Sequence, residues 1–221
     1  MEKMMTNYFL IHPTKFTTVC ALAALLVSEA AGQSLGREEV VEISGTTEFE
    51  VPTNMPAVSV KGKSGAAQGR VTVSREPDGI LLEHIEASIP IKSLSTGMAV
   101  RDEHMRKYVF TAADGRAPDL RFEAGKAECS GRAGSQEFVC QVSGSLSIRD
   151  IARPLAIHLK VRQTSGQLSF KAAGEAVVKL SDYEIPQPSQ FGVKISNEVK
   201  LRLEFTARPR PAESSSLGGV R

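Results

Sequence analysis

The chain has no tryptophan, and aromatic residues fill 5% of its 221 positions. Stacking on bases or sugar rings needs flat aromatic platforms, so recognition of that kind is poorly served. Charge of one sign is also missing. The 27 Lys and Arg face 25 Asp and Glu, a net charge of +2 with both signs mixed along the sequence. No basic block with interleaved aromatics occurs, which leaves nucleic-acid binding without support. A serine elbow is absent as well: Gly144-Ser-Leu-Ser147 lacks the second glycine and lies in a strand-like stretch. His84, His104 and His158 are not at metal-ligand spacing from one another, so a zinc hydrolase has no basis and no metal is expected. His84 and His158 fall on the outward parity of their strands and read as surface residues.

Apolar runs are scarce beyond the N-terminal region. Lys3 and Lys15 precede Val19-Cys-Ala-Leu-Ala-Ala-Leu-Leu-Val27, which is followed by the small residues Ser28, Ala30, Ala31 and Gly32. That order is the order of a secretory signal peptide, and the run is too short for a bilayer anchor. Residues 1–32 are expected to be removed, with cleavage between Ser28 and Gln33, and the product is expected in the periplasm or secreted. Cys20 lies inside the run rather than after it, which disfavours a lipoprotein modification. About 190 residues remain, enough for one domain with a sizeable core.

Three cysteines become two once Cys20 leaves, and an even pair in an oxidising compartment usually forms a bridge. Cys129 and Cys140 flank Gly131 and Gly134, almost symmetrically about a hairpin turn. Directly opposed residues on antiparallel strands have the separation a disulfide needs. A two-cysteine metal site would need histidines nearby, and none lies between residues 105 and 157.

From residue 40 to 207 the pattern has period two. Val41/Ile43, Phe49/Val51, Val58/Val60 and Val71/Val73 mark short early strands. Residues 85–91, 120–124, 138–142, 146–148, 155–161, 168–180 and 199–207 continue the alternation, with glycine, proline and Asp/Asn between them. An antiparallel set this long, polar outside and apolar inside, stacks as two sheets or closes as a barrel. Its long strands favour an all-β barrel of about eight strands. One short helix is expected over residues 98–108, capped by Thr96 or Ser95. The barrel domain is placed at residues 38–207, and residues 208–221 read as a disordered tail. Cys129 has the opposite parity to Leu120, Phe122 and Ala124, whereas Cys140 shares that of Phe138 and Val142. One extra residue must therefore be absorbed between them, which predicts a bulge near Gly125.

Two compact motifs stand out. In residues 85–110 an alternating strand breaks at Ser93 and leads into Arg101, Asp102 and His104. These could contact a ligand head group, form an acid–base cluster, or act as a clasp in which Asp102 ties down backbone donors and Arg101 pairs with a carboxylate. The second motif is Leu180-Ser-Asp-Tyr-Glu-Ile185 and the proline-rich stretch after it. It reads as a lid, or as a long hairpin loop with Phe191 plugging the core.

Several segments occur together in order: Thr96-Gly97, Arg101-Asp102-x-His104-Met105, Phe110, Pro118-x-Leu120-x-Phe122 and Val142-x-Gly144-x-Leu146-x-Ile148. Arg153-Pro154-Leu155, Leu180-Ser-Asp-Tyr and Asn197-Glu198-Val199 complete the series. In these the chain resembles the YceI-like family, bacterial polyisoprenoid-binding proteins with a lipocalin-like barrel. The resemblance spans residues 40–207. It implies a barrel enclosing a long apolar pocket for an isoprenoid chain, such as a polyprenol or a quinone tail. The sequence departs from the family at Arg149-Asp150, where a glycine usually follows Leu146-x-Ile148, and around residues 41–60.

The resulting expectation is a non-enzymatic lipid-binding barrel without cofactor, partnered by an isoprenoid lipid and transiently by a membrane surface. Oligomeric state is left open, a homodimer included. Inward parity nominates Ile85, Ala87, Ile89 and Ile91, then Phe122, Phe138 and Val142, then Ile157, Leu159, Phe170, Leu201 and Leu203 as pocket lining. Two rivals stand beside it: a small-substrate enzyme using Asp102 and His104, and a side-chain-filled barrel serving as an interaction module.

Overall fold

The structure, a computed structural model, describes residues 38–132, 134–164, 169–190 and 192–210. The expected signal peptide, Phe191 and residues 211–221 lie outside them. Eight long strands form one closed antiparallel barrel: β1 (Glu39–Pro52), β2 (Ser59–Glu76), β3 (Gly79–Ile89), β4 (Leu120–Gly131), β5 (Glu137–Ile148), β6 (Ile151–Thr164), β7 (Ser169–Lys179) and β10 (Glu198–Pro209). A small hairpin, β8 (Ser189–Gln190) and β9 (Val193–Lys194), precedes the last of them. Consecutive long strands are neighbours, and β1 closes against β10, with Val41 opposite Pro209 and Glu50 opposite Lys200. Closure leaves none of these eight strands as a sheet edge.

The early strands are longer than the alternation suggested. Val41/Ile43 and Phe49/Val51 lie on one strand, and so do Val60 and Val71/Val73. On β1 the inward parity is unbroken and only Gly45 and Thr47 interrupt the apolar run, whereas β2 carries an extra residue between Ser64 and Ala67. The β1–β2 register shifts between Gly45 and Thr47, and the β2–β3 register shifts between Arg70 and Thr72. Each extra residue reverses which parity faces the core. The bulge expected near Gly125 is present. The β4–β5 register slips by one between Glu123 and Cys129, and Gly125 and Lys126 are both exposed where inward parity passes from Phe122 to Ala127. The next strand carries its own device at the same level: His84 has φ +48°, and inward parity passes there from Leu82 to Ile85. Gly144 is needed beside the slip, because a Cβ there would stand 2.6 Å from the Phe122 ring.

The slip sets Cys129 directly opposite Cys140, and the two form a disulfide with Cα atoms 4.2 Å apart. The last strand runs to Pro209, and the Arg210 N–H reaches the Val40 carbonyl at 3.5 Å. Arg208 and Pro209 therefore belong to the barrel rather than to a tail.

The barrel's two ends differ. At the hairpin end, β2 and β3 are joined by Pro77-Asp78 and β4 and β5 by residues 132–136. The helix end carries residues 53–58, residues 90–119, the Arg149-Asp150 turn and residues 180–197. At that turn both residues have positive φ, +56° and +63°, as a two-residue hairpin requires. Aspartate is among the few side chains that accept this geometry readily, whereas Arg149 adopts it against its ordinary preference.

Candidate ligand-binding cavity

Pro90 ends β3. Its ring lacks an N–H, and a 3-10 turn (Ile91–Ser93) follows. The Ile91 N–H is taken by Asp119 Oδ1 at 3.1 Å, and Ser93 Oγ meets Ser64 Oγ at 2.7 Å on β2. Lys63 and Ser95 then exchange both backbone hydrogen bonds at 2.9 Å, fixing the chain to the barrel wall. Gly97, at φ +78°, turns it into α1 (Ala99–Met105), which runs on into a single π-helical turn, Arg106–Phe110.

The expected capping differs in detail. Met98 holds the N-cap position and makes no side-chain cap, while Ser95 and Thr96 sit on the far side of the Gly97 turn. They are bound from inside the helix. Asp102, 7% exposed, accepts from Ser95 Oγ at 2.7 Å and from both the N–H and Oγ1 of Thr96 at 2.6 Å. The Thr96 hydroxyl bond, then the backbone and Ser95 bonds and the nearby Arg106 charge, hold its carboxyl below the usual carboxylate value against the cost of burial. Asp102 is thus the clasp. Arg101 does not take the carboxylate partner expected of it; its guanidinium lies against Met98 Sδ. His104 meets Tyr108 edge-on at 5.8 Å. Among the described residues no hydrogen bond joins Asp102 to His104.

A second tie crosses the same end. The Arg153 Nε–H donates to the Asp182 carbonyl at 2.8 Å, linking the start of β6 to the 3-10 turn Leu180–Tyr183. The Ser181 N–H donates to Asn197 Oδ1 at 2.9 Å. Tyr183 is buried, and burial, with the neighbouring Asp182 charge, pushes its phenol up to about 12 despite Arg153. These contacts make the Arg-Pro-Leu and Leu-Ser-Asp-Tyr segments one joint.

Inside the barrel is a cavity of about 870 Å³. Its wall includes Ile85, Ala87 and Ile89 of β3, Phe122 of β4, Val142 of β5, Ile157 and Leu159 of β6, Phe170 of β7, and Leu201 and Leu203 of β10. Ile91 and Phe138 do not line it. Ile91 keeps the strand's parity, but the chain has already left the ladder at Pro90, and its side chain is buried beneath the 3-10 turn. Phe138 points inward at the hairpin end, where its ring packs beside Gly131 and fills space instead of bounding it.

Sequence reasoning missed the lining toward the hairpin end of β1, β2 and β3, which includes Val41, Val71, Val73, Ile80 and Leu82. The bulges hid it, since Ile80 and Leu82 have the parity opposite to Ile85. Apart from Thr47 within β1, polar lining gathers at the helix end: Ser88, Thr96, Arg101, His104, Tyr108, Arg121 and Ser189. Tyr108 bounds the cavity and is 58% exposed, so the interior meets solvent there. At the other end Val41, Val73 and Ile80 are almost fully buried.

The sequence model of the YceI-like domain matches residues 39–207. Among curated proteins none matches significantly. Solved structures do. A polyisoprenoid-binding domain from Saccharophagus degradans, implicated in plant cell wall breakdown, aligns with a TM-score of 0.57 at 16% identity, over 79% of this chain and 100% of its own. BcnA from Burkholderia cenocepacia gives 0.54 at 15% identity, covering 73% and 96%. The YceI protein of Campylobacter jejuni gives 0.53 at 16%, covering 72% and 89%.

Proposed function

The chain belongs to the YceI-like domain family, and from that premise we propose that it is an exported, non-enzymatic carrier or shield for an isoprenoid-type lipid, a polyprenol or a quinone tail. The observation that carries the proposal is the apolar cavity of about 870 Å³ inside the barrel. At the ~30 Å³ that a water molecule occupies in the liquid, and with imperfect filling, such a space holds on the order of 20–30 carbon atoms. The tail lies along the β3, β6 and β10 walls. Its polar end reaches the helix end, where Arg101 and His104 are positioned to meet it.

Each buried methylene is worth about 0.8 kcal/mol out of water, so a twenty-carbon tail gains nominally ~16 kcal/mol from solution. From a membrane the same transfer is nearly neutral, which suits a protein that takes up and returns its ligand. The leader-like residues 1–32 and the Cys129–Cys140 bridge support an oxidising, exported setting, the periplasm or outside the cell. The enzyme alternative, which pairs Asp102 with His104, is the less supported reading, because Asp102 is committed to three hydrogen bonds with Ser95 and Thr96.

The purified protein should yield an extractable isoprenoid on solvent extraction and mass spectrometry. Ala87→Trp, which projects an indole into the cavity, should lower affinity for added polyprenol by at least about tenfold while the fold is retained. No extractable lipid, together with no uptake of polyprenol or quinone, would overturn the proposal.

A further inference from the structure

The connections at the helix end break a rule that the rest of the surface keeps. Residues 54–58 are exposed in succession, and four of them, Met55-Pro56-Ala57-Val58, are apolar. Met98-Ala99-Val100 is a second run of exposed apolar residues, at the start of α1. Met55, Val58, Met98, Val100 and Tyr108 are each 45–67% exposed, and all five lie on connections at this one end. Single exposed apolar residues are ordinary, but consecutive exposed runs are avoided unless something covers them.

Charge indicates what does. Residues 53–58 contain no charged side chain. In residues 98–108 the charged groups are Arg101, Arg106 and Lys107 against Asp102 and Glu103, a balance of one positive charge, and Asp102 is buried in the clasp. The two apolar tips thus flank a net basic segment that carries an aromatic, with Lys107 Nζ 5.3 Å from the Tyr108 ring centre. Apolar tips with adjacent cations and an interfacial aromatic match the layered chemistry of an anionic bilayer surface: hydrocarbon beneath, negative head groups above. The same end is where the cavity meets solvent.

We propose that the helix end is a membrane-docking face. Residues 55–58 and 98–100 dip into the interface of an anionic bilayer, while Arg106 and Lys107 contact its head groups. This rests on the lipid-carrier reading and deepens it by naming the partner and the face: the cavity would open toward the bilayer, and an apolar ligand would pass without crossing water.

The test is co-sedimentation of the purified protein with vesicles of phosphatidylcholine, with and without about 30% phosphatidylglycerol. Met55→Ser/Val58→Ser removes one tip and alters neither cavity lining nor clasp. It should weaken partitioning by about tenfold on both vesicle types, since two apolar side chains no longer leave water. Lys107→Glu should weaken binding about fivefold or more on the anionic vesicles alone. Wild-type protein that ignores both vesicles, or a double variant that partitions like wild type, would overturn the docking face. Polyprenol delivered from cyclodextrin separates the two ideas. Uptake by wild type that ignores vesicles defeats this inference and leaves the carrier standing; no uptake from any source defeats the carrier.

Discussion

The two ends of the barrel solve opposite problems. The hairpin end is shut: the described strands are joined by short polar turns, a disulfide crosses neighbouring strands, and the cavity wall beneath is almost fully buried. At the helix end the chain makes long excursions held by side-chain ties, namely Asp102 to Ser95 and Thr96, Arg153 to Asp182, and Asn197 to Ser181. The floor's β4 and β5 are pinned covalently, whereas the rim is held by hydrogen bonds, each worth about 1 kcal/mol net, and gives way more readily.

That contrast can be broken most forcefully at the floor. Cys129→Ser/Cys140→Ser should cost roughly 3 kcal/mol of stability by the loop-closure estimate, visible as a lower denaturation midpoint, with the amount of polyprenol bound at saturation unchanged. If lipid capacity falls as far as stability does, the floor and the site are not separable.

The rim comes second. Asp102→Asn should cost about 1–3 kcal/mol, because hydrogen bonds to a charged acceptor are weakened while their donors stay buried. Amide hydrogen exchange should accelerate in residues 95–110 before it does around Cys129. The sign of the pH effect follows from the lowered carboxyl value. Asp102 contributes fully above the ordinary value of 3.8, and the contribution is lost as pH falls below 3.8 through the lowered folded value. Acid should therefore loosen the rim first, and the Asn variant should lack that part of the pH profile.

The smallest effect is expected on the outer wall. Arg162 and Glu137 pair there at 2.5 Å with both side chains largely exposed, and Arg162→Ala should leave the denaturation midpoint close to wild type. A large effect would mean that the wall, not its ends, sets stability.

The alternation alone was enough to read a barrel with one short helix, and the parity clash between Cys129 and Phe122 located the slip near Gly125. Ten proposed lining positions bound the cavity, because residues on one strand face share one fate. The errors arose where parity stops carrying information. Pro90 removes Ile91 from the ladder, Phe138 is inward but sits at the sealed floor, and the His84 bulge concealed Ile80 and Leu82. Asp102 was visible as a candidate clasp. Its donors Ser95 and Thr96 were taken for helix caps, since nothing local reveals that Gly97 turns the chain between them and the helix.

Closure of β1 against β10 also sets a clock. Glu42 and Arg210 meet at 3.0 Å across 168 residues of chain, so the contacts that complete the cylinder are the last that synthesis can supply. Contacts of such long range are slow to form. A chain that stops before Glu198 would have β1 and β7 as open edges, with the apolar lining turned to solvent on a curved sheet.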